Sequence, residues 1–151
     1  MIRKARVSDV KMIYQLLSTF SERGEILPRP LMELYENLRD FSVYCHGEQG
    51  PIVGTCAVHV SWEDLAEIRS LAVDEKYTKR GVGKALVDIC LADAKALGIM
   101  RVFVLTYKTD FFEKRGFRAV EKSSLPHKVW SDCLRCVKFP GCDEIAMIKE
   151  I

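Results

Sequence analysis

The chain lacks what three broad functional classes require. It holds no run approaching the ~20 apolar residues of a membrane helix. It has no surplus of one charge: 23 Lys and Arg against 21 Asp and Glu leave a formal net charge of +2. That balance does not supply the concentrated basic surface of a nucleic-acid binder. Its first residues, Met1-Ile2-Arg3-Lys4-Ala5-Arg6, place charge where an export signal needs an apolar stretch. Internal repeats, low-complexity tracts and linkers are missing as well. What is there is an ordinary globular mixture, 48% hydrophobic and 29% charged, and its 151 residues suit a single domain spanning 1–151. The expected setting is the cytosol, with neither membrane nor nucleic acid as partner, and with a homodimer left open. The 6 Cys are then expected to be reduced, so a cysteine cluster points to metal or redox chemistry before disulfides.

Periodicity predicts the elements. Ile2 to Val7 reads as a strand, and Ser8 and Asp9 offer a cap to a helix carrying Val10, Ile13, Leu16, Leu17 and Phe20 at helical spacing. After a loop with Gly24, Pro28 and Pro30, a second helix would bury Leu31, Leu34, Tyr35 and Leu38. Residues 41–45 and 52–62 read as a hairpin, and 65–73 as a further strand. A long helix follows Gly83, with Val82, Leu86, Ile89, Cys90 and Leu97 as its apolar positions and Gly98 as its stop. Residues 100–106 form a buried strand and 110–114 a short helix. A strand starts at Gly116-Phe117, and 145–148 closes the sheet. Strands first, then alternating helix and strand, predict a mixed α/β sheet with helices on its faces.

The most informative segment runs from Leu71-Ala72-Val73 through a basic loop, Thr78-Lys79-Arg80-Gly81-Val82-Gly83-Lys84, into the long helix. Glycines let backbone approach an anion, and the first turn of a helix offers free N–H groups to it. Lys79, Arg80 and Lys84 add positive charge, so the place suits a pyrophosphate. The bland alternative is a simple connection in which the glycines only make a turn. A nucleotide P-loop would need a longer gap between glycines followed by Lys-Ser/Thr, and a dinucleotide fold would place its glycines after the first strand. Neither fits.

Leu71-Ala72-Val73, the Arg80-Gly81-Val82-Gly83 turn and Phe111-Phe112-Glu113-Lys114-Arg115-Gly116-Phe117, in that order, resemble the GNAT acetyltransferase superfamily over nearly the whole chain. The resemblance implies a mixed, mostly antiparallel sheet with a splayed strand pair, and acetyl-CoA as the acyl donor. Backbone at Leu71, Ala72 and Val73 would pair with pantetheine, N–H groups from Lys79 to Lys84 would hold pyrophosphate, and Phe112 would line the cofactor cleft. Thr78 stands where the family usually has Arg or Gln, and Phe112 where many members have a Tyr acid.

Glu67 is a carboxylate in a largely apolar strand just upstream of that cleft, suited to take a proton from an ammonium substrate. A charge pair with Arg69 is its structural alternative, and Glu63 and Asp64 are weaker competitors. Tyr107 is the candidate acid. Within the superfamily, Gly24 to Arg29, Phe103 to Thr106 and Leu125-Pro126-x-Lys128 resemble the acetyltransferase domain of N-acetylglutamate synthases. That implies a short free-standing member acting on glutamate or glutamine in arginine biosynthesis, with Arg29 and Lys128 on the substrate carboxylate. A peptide N-terminus, a polyamine or an antibiotic is the competing acceptor, and a non-catalytic CoA- or metal-binding module the competing class. Cys133-x-x-Cys136 with Cys142, and His127 as a fourth ligand, could hold zinc or act as a redox couple. Cys45, Cys56 and Cys90 read as core.

Overall fold

The computed structural model describes residues 1–125 and 144–151. Its centre is a seven-stranded sheet of order β1-β2-β3-β4-β5-β7-β6. The strands are β1 (Ile2–Lys4), β2 (Phe41–Cys45), β3 (Ile52–Trp62), β4 (Leu65–Val73), β5 (Arg101–Thr106), β6 (Arg118–Val120) and β7 (Ile145–Glu150). Neighbours are antiparallel except β4 and β5. The expected mixed sheet is therefore present. The last strand does not close an edge, however. It inserts between β5 and β6, where it supplies Met147 to one face and Ala146 and Ile148 to the other.

Among the described residues, four helices cover the sheet: α1 (Val10–Glu22), α2 (Leu31–Glu36), α3 (Val82–Ala96) and α4 (Thr109–Glu113). β1 stops at Lys4, short of Val7, because the next residues turn to start α1. Asp9 fixes that turn. Its Oδ2 accepts from the Arg6 backbone N–H at 2.7 Å, and Arg3 forks onto the carboxylate at 2.6 and 2.9 Å. The Arg3 hydrogen bonds hold the Asp9 carboxyl below its ordinary range, and Arg3 is raised in turn. α1 buries Val10, Ile13, Leu17 and Phe20 as its spacing predicts. In α2 only Leu34 is buried, since a six-residue helix cannot carry a continuous stripe; Leu31 and Tyr35 stay exposed. α3 buries Val82, Leu86, Val87, Cys90 and Ala94. Ile89 lies off that stripe and Leu97 beyond the helix end, so both expected core residues are exposed.

The two faces have separate cores. On one, α3 packs on Cys56, Val58, Ala66, Ile68, Val102, Val104 and Met147. On the other, α1 and α2 cover Phe41, Val43, Ala57 and Ala72. A third cluster, Leu65, Phe103, Ala146 and Ile148, lies under Leu125. Cys45, Cys56 and Cys90 are all buried and free, as core residues should be.

Gly54 seats α3 on β3. A Cβ there would lie 2.9 Å from Val82 Cγ1 and 3.0 Å from Leu86 Cδ1. Gly54→Ala should therefore destabilise the fold by about 1–3 kcal/mol through overpacking. Urea denaturation reads this, and an unchanged midpoint would mean that the helix does not depend on this close approach.

Candidate active site

Two irregularities in β4 create the site. The first is a bulge. Thr55 pairs with Ala72 and Ala57 with Arg69, so Ser70 and Leu71 together oppose Cys56. Ser70 takes φ 56, a conformation few non-glycine residues adopt, and is buried. The extra residue reverses the alternation: Ala66 and Ile68 face α3 before the bulge, and Leu71 and Val73 pack against that same core after it. The second irregularity is the short partnership with β5. The two strands pair only at Ala66–Val102 and Glu67–Phe103. Beyond Glu67 the β5-facing edge of β4 has no strand partner among the described residues, and a cleft opens between Leu71–Val73 and the end of β5. Backbone at such an edge can take up an extended ligand as an added strand.

The glycine turn stands at the end of this cleft. Gly81, at φ 79, caps α3, and Lys79 takes φ 64. The α3 N-terminus, fifteen residues of aligned peptide dipoles behind it, faces the loop. Lys79 and Arg80 are exposed; the Arg80 guanidinium lies 5.3 Å from the centre of the Tyr77 ring, and Lys84 lies 4.0 Å from Asp88. Thr78 donates its hydroxyl to the Glu75 carbonyl at 2.9 Å. A Cβ on Gly83 would sit 3.4 Å from Phe111 and 3.9 Å from Val73, between α4 and the end of β4. Phe111 is thus the aromatic that borders the turn. Phe112 is not: it is 2% exposed, edge-on to Phe111 and Phe117 within the α3 core. Its expected place on the cofactor cleft is corrected accordingly, because the short α4 turns successive side chains in different directions.

Glu67 is on the opposite face from α3, largely buried at 13% exposure, with Arg69 Nη1 3.8 Å from its Oε1. The expected charge pair therefore exists, and it lies beside the cleft. Asp64 is committed elsewhere, accepting from the Met100 N–H at 2.9 Å at the start of β5, and Glu63 is exposed. Tyr107 directly follows β5 and is exposed. Arg29 is buried rather than solvated, with its Nη1 3.6 Å from Glu33 Oε2. It lines a cleft of about 480 Å³ with Tyr14, Ser18, Ser21, Leu27 and Glu33, in the helical layer over the Glu67 face; no β4 residue lines that cleft. Lys128, His127, Cys133, Cys136 and Cys142 lie outside the described residues. Among those described, no group of three or more His, Cys, Asp or Glu could hold a metal ion, and no helix is long and apolar enough to cross a membrane.

The sequence pattern of the acetyltransferase (GNAT) family matches residues 10–117. The chain belongs to the GNAT family. It is 38% identical over 99% of its length to an uncharacterized N-acetyltransferase of Chlorobaculum tepidum, covering 96% of that protein. It is 43% identical over 89% of its length to the amino-acid acetyltransferase of Mycobacterium tuberculosis, covering 77% of it. A Mycobacterium tuberculosis protein crystallised with CoA and the ligand NLQ superposes with a TM-score of 0.86 at 34% identity, over 100% of this chain and 99% of that one. The N-acetylglutamate synthase of Neisseria gonorrhoeae, complexed with coenzyme A and N-acetyl-glutamate, gives 0.89 at 27% identity; this chain spans 34% of it. This GNAT protein is an acetyl-CoA-dependent N-acetyltransferase.

Several features of the GNAT site had no sequence signal of their own. The bulge falls on Ser70, which carries no glycine or asparagine mark. Phe111 and Phe112 are chemically alike, and only the packing tells them apart. A histidine also enters the site region: His59 is the direct cross-strand neighbour of Glu67, and its Nδ1 lies 2.6 Å from Asp40 Oδ2.

Proposed function

We propose that this chain acetylates the α-amine of L-glutamate, with L-glutamine as a second acceptor, in the cytoplasm at the entry to arginine biosynthesis. The observation that carries this reading is the burial of Arg29. A guanidinium held in the layer over the Glu67 face, on a loop stiffened by Pro28 and Pro30, suits recognition of an anionic acceptor. The relatives named as amino-acid acetyltransferases support it, and so does the Neisseria enzyme complexed with N-acetyl-glutamate.

In this mechanism the exposed β4 edge at Leu71, Ala72 and Val73 pairs with the pantetheine amides. The N–H groups from Lys79 to Lys84 hold the pyrophosphate. Glu67 accepts a proton from the substrate ammonium, directly or through water, with Arg69 as its ion partner. The neutral amine attacks the thioester carbonyl, and as the tetrahedral intermediate collapses its nitrogen gives up a second proton to the departing CoA thiolate, leaving the amide and the free thiol. A thiol with pKa near ~8.5 leaves readily, so the step makes modest demands on Tyr107 as proton donor.

Arg29→Ala should raise the acceptor KM by roughly ten- to a hundredfold, the equivalent of about 1.5–3 kcal/mol for a charge-assisted contact. Acetyl-CoA affinity should stay unchanged, and Arg29→Lys should rescue only in part because the planar fork is lost. Thiol release measured across a panel of amines tests the assignment. Faster turnover of peptide N-termini or polyamines than of glutamate and glutamine would overturn the acceptor while leaving the family intact.

A further inference from the structure

We infer that His59, oriented by Asp40, is a proton relay that returns Glu67 to its carboxylate form after each turnover. The inference rests on the proposed role of Glu67 as base. His59 and Glu67 are paired positions of the antiparallel β3 and β4, so their side chains share a face with Cβ atoms about 4.5–5.5 Å apart. That is the face that Ala57, paired with Arg69, gives to the α1 and α2 layer. His59 Nδ1 and Asp40 Oδ2 are 2.6 Å apart. Asp40 ends the 3-10 turn of Leu38–Asp40 that delivers the chain into β2, which fixes its carboxylate beside the ring. With Nδ1–H donating to Asp40, the lone pair of the neutral ring is on Nε2.

Exposure rises along this path. Glu67 is 13% exposed, Asp40 23% and His59 35%. A proton taken from an ammonium group at Glu67 is therefore left on the most enclosed member, while His59 reaches solvent. The transfer balances without any further reactant. The substrate N–H bond breaks as the Glu67 O–H bond forms; that bond breaks as an intervening water takes its proton and gives another to Nε2; and the imidazolium, paired with Asp40, releases its proton to water. Among the described residues, the charged groups at the ring and its paired position are Asp40 on the preceding turn and Glu67 and Arg69 on β4. Arg29 and Glu33 belong to the helical layer over the same face. Neither His59 nor Asp40 is needed to bind acetyl-CoA, whose proposed contacts lie beyond the bulge.

The test compares His59→Gln, Asp40→Asn and Glu67→Gln with wild type. Thiol release is followed against pH with saturating acetyl-CoA and glutamate, or whichever amine proves fastest. His59→Gln should lower kcat about tenfold with less than a twofold change in acceptor KM, and added imidazole should restore kcat in proportion to its concentration. Asp40→Asn should lower kcat in the same direction as His59→Gln, because the ring loses the partner that orients it. A His59→Gln variant with wild-type kcat, or with a loss that imidazole does not restore, would show that the pair only braces the sheet. If Glu67→Gln alone keeps normal turnover, the base reading fails and the relay falls with it, a result distinct from the first.

Discussion

Gly83→Val is expected to abolish acetyl-CoA binding while the protein stays folded. The position is at the start of α3, where a Cβ would enter the gap between Phe111 and Val73 at ordinary contact distance, 3.4 to 3.9 Å. The added carbon need not disrupt the core, since Phe111 and Val73 are both only partly buried. The two further methyls of valine extend into the mouth of the β4–β5 cleft and over the N–H groups of the first helical turn, where an anion must come close. Calorimetric titration with acetyl-CoA reads the loss, and circular dichroism checks the fold. A folded variant that titrates like wild type would remove the phosphate cradle from this turn.

The second large effect is expected at Glu67. Glu67→Gln keeps the shape of the side chain and removes its capacity to accept a proton, so turnover should fall by about 10²-fold or more. Acetyl-CoA affinity should hardly change, because the cradle lies at the other end of the cleft. The deficit should shrink as pH rises, since more of the amine then arrives already neutral. That pH trend separates a lost base from a lost brace: the substitution also removes the ion partner of Arg69, 3.8 Å away, but a purely structural loss would not recover in alkali. Near-normal turnover at neutral pH would return Glu67 to structure.

What the sequence reveals and what it hides divides along the range of the interactions. The turn at Arg80–Gly83 is legible because its demands are local: a glycine at φ 79, a cap, and basic residues beside a helix start. The hairpin of β2 and β3 is legible for the same reason, as two apolar runs on either side of a turn containing Gly50 and Pro51. The splay of β4 from β5 follows from the family resemblance, but the device that starts it does not. Ser70 adopts a left-handed conformation only because Ala72 and Arg69 are held by fixed partners on β3. Arg29 stands out in sequence through the family resemblance and its flanking prolines, but only the helical layer shows it buried. Ile89 and Leu97 mislead because apolar character alone does not place a residue on the stripe that touches the sheet. The pairing of Asp40 with His59, and of His59 with Glu67, joins segments whose neighbourhood is set by strand order rather than by spacing.

The brief contact between β4 and β5 has a mechanical consequence. The sheet amounts to two plates, β1 to β4 and β5 with β7 and β6, welded at only two residue pairs. α3 is the clasp across that weld, since its buried face packs on Ala66 and Ile68 from one plate and on Val102, Val104 and Met147 from the other. The angle between the plates is thus held by the packing of Leu86, Val87 and Cys90, on the face away from Glu67. The width of the cleft is a property of the core beneath it, and residues that never meet a substrate help to set how far apart its walls stand.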